Sequence, residues 1–280
     1  MILKIKQGLF FLCLFLSQHL AITQQLDLGL YLGAANYNGD LSENLSSSLN
    51  QNHPMVNVQV RLDVDPVFSL KLQGSQLTIS GDDALATNPQ FLKRNLNFKT
   101  RIYELALIGQ MQILNLFRME PMRFSPYLQM GFAYVNFHPT GIYNGSLVDL
   151  QALGTEGQGM PGYPDKYSLH TTAYVFGAGL RYHLTSNLSL GLELNLRLSN
   201  TDYLDDASGN YVAYQELLRF KGRTAADLGN KINARTGQQR ANPKSNDGYQ
   251  TLGLGLHYHF GKNPLFKNSL FKNPVRCPSF

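Results

Sequence analysis

Leu188-Ser189-Leu190-Gly191-Leu192-Glu193-Leu194-Asn195-Leu196-Arg197-Leu198-Ser199 decides how this chain is to be read. Every second residue is leucine, and the residues between are small, polar or charged. Side chains on a strand alternate between two faces, so these leucines form one unbroken apolar face; on a helix they would scatter around the axis. The segment before it behaves alike. Tyr174, Phe176, Ala178, Leu180, Tyr182 and Leu184 alternate with Val175, Gly177, Gly179, Arg181 and His183. Folding the two about Thr185-Ser186-Asn187 sets Leu184 opposite Leu188, Tyr182 opposite Leu190 and Leu180 opposite Leu192. The same register places Arg181 diagonal to Glu193, which predicts a cross-strand ion pair on the polar face.

The pattern recurs along the chain. Val56, Val58, Val60 and Leu62 precede the turn Asp63-Val64-Asp65-Pro66, and Phe68, Leu70 and Leu72 follow it. The expected register pairs Leu62 with Phe68, Val60 with Leu70 and Gln59 with Lys71. Further strands are expected over 26–32, 103–113, 127–137 and 252–260, giving eight. Connectors between them alternate in length: 36–55, 63–66, 80–98, 115–123, 138–168, 185–187 and 200–248. Three short turns on one edge and four long loops on the other suit an eight-stranded antiparallel transmembrane β-barrel of the bacterial outer membrane, with long extracellular loops and short periplasmic turns. Eleven residues of alternating leucine match the ~9–11 that a tilted membrane strand needs. The apolar face then points at lipid, because a barrel this small fills its lumen with side chains and leaves no room for an apolar core on both faces. Closure of the sheet pairs every backbone group, as hydrocarbon demands.

Composition agrees. Only 15% of the 280 residues are charged while 43% are hydrophobic, which excludes a disordered chain. The longest apolar run, Leu9 to Leu16, is far short of a membrane helix. Residues 1–23 read as an export signal: Lys4 and Lys6, an apolar stretch from Gly8, then Ala21-Ile22-Thr23 before cleavage at Gln24. Cys13 falls inside that segment, so Cys277 is the one thiol expected in the mature chain. The formal charge of +5 drops to +3 without the two signal lysines. A tail, 261–280, holds Lys262, Lys267, Lys272 and Arg276 and no acid, leaving the barrel, 24–260, at −1. Basicity confined to the two ends gives no case for nucleic acid. Pro264, Pro274 and Pro278 argue against helix or strand in the tail, which reads as a basic periplasmic extension or a handle for an acidic partner.

Several polar groups are candidates for chemistry. Asp27, Arg61, Lys71, Glu104, Gln110, Arg181, Glu193 and Arg197 are expected inside the lumen, mixing both signs so that the interior neutralises itself. Asp202, Asp205 and Asp206, with Asp82 and Asp83 on another outer loop, are carboxylates that calcium favours, although the spacing matches no EF-hand. His183, His257 and His259 share the lumen near its periplasmic edge, where hydrogen bonding is the simpler use than zinc. His53, His138 and His170 fall on outer loops or their edges, but no nucleophile–base spacing marks an enzyme. The longest loop, 200–248, offers a helix over 212–221 and a second capped by Thr224; it reads as a solvated loop before a lid over the mouth.

Five further stretches carry a resemblance: Leu28 to Asp40, Ile79 to Asp83, Arg94 to Phe98 with Arg101 to Glu104, Leu153 to Gly159, and Thr201 to Asp206. In this order they resemble PorG-like outer-membrane barrels. The resemblance implies a component of type IX protein secretion, and in some bacteria of gliding, that tethers a periplasmic ring built by the PorK lipoprotein and PorN. Contact would run through turns 63–66 and 115–123 and the tail cations. No cofactor is implied. The terminal aromatic Phe260 resembles the signal read by the barrel assembly machinery. A stand-alone surface barrel whose loops bind a ligand or lipid is the alternative, and a rim-sited enzyme the third reading.

Overall fold

The computed structural model describes residues 26–42, 51–117 and 123–260. The signal 1–23, the tail 261–280 with Cys277, and most of the turn 115–123 fall wholly or partly outside them. Among the described residues nine strands form: β1 (Leu26–Asn38), β2 (His53–Asp63), β3 (Phe68–Asp82), β4 (Asn97–Gln112), β5 (Phe124–Tyr143), β6 (Ser146–Asp149), β7 (His170–His183), β8 (Leu188–Ser199) and β9 (Gly248–Phe260). Eight close into an antiparallel barrel, β1 pairing with both β2 and β9 and β4 with β5. The ninth, β6, was not anticipated; it folds back on the end of β5 through Asn144-Gly145, both at positive φ, an arrangement the Asn-Gly pair favours in a two-residue hairpin. Short helices lie between strands: α1 (Pro89–Arg94), α2 (Ile113–Leu116), α3 (Leu150–Leu153), α4 (Tyr214–Lys221) and α5 (Arg223–Gly229). No described helix is long and apolar enough to cross a membrane.

The β7–β8 hairpin has the expected register, Tyr182 opposite Leu190 and Leu180 opposite Leu192. The β2–β3 hairpin is displaced by two residues from expectation: Leu62 faces Leu70, Val60 faces Leu72, and Arg61 rather than Gln59 faces Lys71. The cause is Asp65, whose carboxylate accepts from the backbone N–H of both Val67 and Phe68 at 2.7 Å and widens the turn. A shift of two leaves every side chain on its intended face.

The leucine ladder does face outward, with Leu190, Leu192, Leu194 and Leu198 all exposed and Ser189, Gly191, Glu193 and Asn195 inside. On the strands with long outer extensions the pattern then inverts. Along β4, Met111, Gly109, Leu107, Leu105 and Tyr103 face out while Gln110 and Glu104 are buried; further up, Arg101 and Lys99 face out and Ile102, Thr100 and Phe98 face in. β3 and β5 do the same: Gln76, Thr78 and Ser80 outward over buried Leu77 and Ile79, and Asn136 and His138 outward beside buried Val135 and Phe137. The expectation that the lumen holds no apolar core therefore needs correcting. Within the membrane the barrel is greasy outside and mainly polar inside, with Ala106 and Ile108 of β4 buried among the polar residues; above it, water is outside and the core is within.

Candidate functional site

The polar lumen is built in layers from inward positions of all eight strands. At the periplasmic end Asp27 pairs with Arg61, which also reaches Asp63 at 2.7 Å, while His259 Nδ1 meets Asp27 at 2.6 Å. Next, Lys71 on β3 spans the lumen to Glu193 on β8, 3.0 Å away and on the opposite wall. Tyr127 donates to the same carboxylate at 2.8 Å. Above that, Arg197 binds Glu104 through two nitrogens at 3.0 and 3.1 Å, and Tyr249, the partner of Arg197 on the neighbouring strand, donates to Glu104 at 2.6 Å. Tyr31 lies inside the lumen and shares a hydrogen bond with His257 of the neighbouring strand at 2.6 Å. Its ring fits because Gly255 faces it; a Cβ there would clash with the ring.

The predicted Arg181–Glu193 ion pair is not made. Lys71 takes the carboxylate instead, and Arg181 lies 5.3 Å over the Tyr127 ring with its Nε and Nη2 facing no acceptor among the described residues. A cation over an aromatic face gains part of what a carboxylate would give. The three histidines use their rings as predicted, His259 and His257 in the bonds above and His183 3.5 Å from Ser125.

A second network closes the outer mouth. The loops after β1, β3, β6 and β8 fold together into a cap with an apolar interior: Leu41, Leu96, Leu150, Leu204, Ala207 and Leu228 join the barrel's Ile79, Phe98 and Phe137. Tyr167 stacks between Phe137 and Tyr203. Arg94, at the end of α1, binds Asp83 through two nitrogens at 2.7 and 2.8 Å and donates to the carbonyls of Asp40 and Arg240. Arg240 in turn binds Glu156 at 2.8 Å and the Asp206 carbonyl at 2.8 Å. Thr155 and Tyr167 donate to the Asp206 carboxylate. The long loop is thus a packed lid, not the solvated segment its composition suggested, because Arg240 and the Asp side chains find partners on other loops. Its helices are α4 and α5; Gly222 rather than Thr224 stands at the second N-terminus, with no side-chain cap.

Tyr37 sits between two carboxyls, 2.7 Å from Asp205 and 2.5 Å from Asp247. One hydroxyl carries one proton, so it can donate to one carboxylate and must accept from the other as a carboxylic acid. Burial pushes Asp247 up to about 7, Asp202 to about 8 and Asp206 to about 6, and holds Asp205 well above its ordinary value. As candidate metal ligands Asp202, Asp205 and Asp206 do not converge: Asp205 is turned to Tyr37 and Asp206 to Thr155 and Tyr167. Among the described residues no three His, Cys, Asp or Glu side chains are gathered so as to hold a metal ion.

A pH dependence follows. An acid whose pKa is raised in the folded cap holds a proton there that it loses when the cap opens. Its stabilisation is complete below the unfolded value near 4 and is lost as pH rises through about 6 to 8. Amide exchange in 200–247, corrected for intrinsic rates, is expected to quicken at least about tenfold between pH 6 and pH 8.5 while the β7–β8 hairpin stays protected. Constant protection would mean that these carboxyls are ionised throughout.

The rim histidines form no catalytic chain. His53 Nε2 meets Ser80 at 2.7 Å and His138 Nε2 meets Asp149 at 2.8 Å, but the two pairs share no member. His170 bonds Asn136.

Fold and interior together define a small, closed membrane β-barrel with a plugged lumen and a folded lid. Residues 8–260 match the family model of the outer membrane protein β-barrel domain, and the chain belongs to that family. It is an outer-membrane protein. No curated protein matches the chain in sequence. Among solved structures, it is similar to Neisserial surface protein A (8% identity, 84% of this chain and 97% of that one, TM-score 0.43), and to Ail of Yersinia pestis, solved with the heparin analogue sucrose octasulfate (10%, 85% and 99%, 0.41). The N-terminal barrel of Pseudomonas aeruginosa OprF is a third (12%, 84% and 97%, 0.37).

Proposed function

We propose that this barrel is a non-enzymatic anchor: a fixed outer-membrane component of type IX protein secretion that tethers a periplasmic ring of the PorK and PorN type. The observation that supports an anchor is the sealed interior. Lys71–Glu193 and Tyr249–Glu104 each cross the lumen, and the described loops cover its mouth, which supports a fixed structural part rather than a pore. What supports type IX secretion is the five-segment resemblance, whose residues meet in one place. Tyr37 and Asp40, Asp83, Arg94, Thr155 and Glu156, and Asp205 and Asp206 come from its separate stretches and are joined by the hydrogen bonds of the cap. In this reading the tail cations Lys262, Lys267, Lys272 and Arg276, outside the described residues, hold the periplasmic partner. Deleting the gene tests it: secreted and surface-attached cargo should accumulate in the periplasm and return on complementation, and crosslinking in intact cells should join the barrel to periplasmic ring proteins. Unchanged export on deletion would refute the secretion role.

A second reading, a surface barrel whose loops bind a ligand, is favoured by one feature. An open cleft of about 540 Å³ on the lid is lined by Tyr214, Gln215, Asp227, Asn230, Lys231 and Asn233. Purified protein that captures no periplasmic partner, with export intact in the deletion strain, would decide for that reading.

A further inference from the structure

Six Lys or Arg residues stand on the described strands. Arg61, Lys71, Arg181 and Arg197 point into the lumen and are buried. Lys99 and Arg101, both on β4, point out and are exposed, and they are the only cations at outward positions of the described strands. The pairing registers set them at the centre of a grid. Ser80, Lys99 and Thr140 form one row across β3, β4 and β5; Thr78, Arg101 and His138 the next; Gln76, Tyr103 and Asn136 the one below. Under Tyr103 the outward residues of β4 are Leu105, Leu107, Gly109 and Met111.

Height places this grid. From Met111 to Arg101 is ten residues, and at ~3.4 Å each on a strand tilted by ~40° that is about 26 Å, against an apolar band ~25 Å tall in such barrels. Arg101 thus stands where hydrocarbon gives way to the outer-leaflet headgroups, and Lys99 one step above. Tyr103 and Tyr134 lie at the edge of the band, where an aromatic body with a polar tip is favoured. No ion pair among the described residues involves Lys99 or Arg101. Two acids border the grid. Asp149 is taken up by His138, and Asp82 caps the turn at Ala84.

We propose that Lys99 and Arg101 bind the phosphate groups of an outer-leaflet lipid headgroup. The guanidinium offers a planar fork that matches two phosphate oxygens, and the ammonium adds a point charge beside it. The Thr78 and Tyr103 hydroxyls, on adjoining grid positions, can donate to the same anion. A lid of many loops standing above the membrane would gain a fixed height and orientation from such a lipid, whatever partner the periplasmic side holds.

Native mass spectrometry of the full chain in detergent tests this, using diphosphorylated lipid A, the same lipid with its phosphates removed, phosphatidylcholine, and inorganic phosphate as probes. The diphosphorylated lipid should bind best, and Lys99→Gln with Arg101→Gln should weaken it about thirtyfold, two cations acting together. Arg235→Gln with Lys244→Gln, which removes as much charge from exposed positions of the cap, should leave it unchanged. Resistance to unfolding in SDS confirms that each variant is a closed barrel; should the double variant fail that check, Arg101→Lys, which keeps the charge and loses the fork, should still weaken binding severalfold. Equal binding by the Gln variants would overturn the site. Displacement of the lipid by inorganic phosphate at equal concentration would overturn its assignment to a headgroup.

Discussion

Replacing Glu193 by alanine is expected to cost the barrel about 3–5 kcal/mol, the usual result of removing one partner of a buried ion pair. The loss comes from what is left behind. Lys71, 1% exposed, would keep a charged ammonium facing Gln129 alone, and Tyr127 would lose its acceptor. Arg181, already without an acceptor at two nitrogens, would lose the nearest negative field in its layer. Glu193→Gln keeps the shape but not the charge and should fall between the two. The double substitution Lys71→Met with Glu193→Leu should recover most of the loss, since an apolar pair of similar volume leaves no charge unpaired. Denaturant unfolding in lipid vesicles, followed by the mobility difference between folded and unfolded barrel on SDS gels, measures all three. Equal stability of Glu193→Ala and wild type would mean that water, not Lys71, fills this layer.

Arg240→Ala should act on the lid and spare the barrel. Arg240 is 6% exposed and holds together Glu156, the Asp206 carbonyl and, through its own carbonyl, Arg94. Its removal leaves Glu156 buried beside Asp206 without a cation. A cost of about 3 kcal/mol, at the lower end for a broken buried pair, corresponds to roughly a hundredfold more frequent opening of 200–247. Limited proteolysis and amide exchange should report that increase, with the denaturant midpoint of the barrel unchanged within error. Arg240→Lys should recover part of it, since the charge stays and the second hydrogen bond does not. Loss of the barrel together with the lid would show that the two fold as one cooperative unit.

Sequence and structure part company at particular residues. The membrane half of the barrel was legible because lipid enforces one rule at every position: the leucines of β8 and the aromatic and aliphatic set of β7 leave only one face for each. Register at the β7–β8 turn followed from the same rule. Register at β2–β3 did not, because Asp65 spends its carboxylate on two backbone N–H groups, a local event that alternation does not encode. The inversion above the membrane carries a signal in hindsight. Gln76-Leu77-Thr78-Ile79-Ser80 alternates as strictly as Phe68-Ser69-Leu70-Lys71-Leu72, but its apolar residues have moved to the other parity. Read with one environment in mind, that stretch is a loop; read with two, it is the same strand leaving the bilayer. Of the lid, the helix at Tyr214–Lys221 was legible from the stretch 212–221, but its packing was not. Its ion pair and hydrogen bonds join residues far apart in sequence, Arg240 with Glu156 and Tyr37 with Asp205, and nothing in the loop's composition says which distant partner its acids will meet.

The same distinction explains the lumen partners. Composition showed that the inward charges mix both signs, but which cation meets Glu193 depends on the barrel's cross-section. Arg181 is its diagonal neighbour on the sheet, whereas Lys71 faces it across a lumen narrow enough for one lysine to span.

Everything here depends on β8 presenting its leucines to lipid and its polar residues to a closed interior. Spin labels placed one at a time along 188–199, on a Cys277→Ser background in lipid vesicles, test this most directly. Collision with dissolved oxygen, which concentrates in hydrocarbon, should be high at Leu190, Leu192, Leu194 and Leu196 and low at Ser189, Gly191, Glu193 and Asn195, with a period of two throughout. Uniform collision rates, or the opposite phase, would contradict the account.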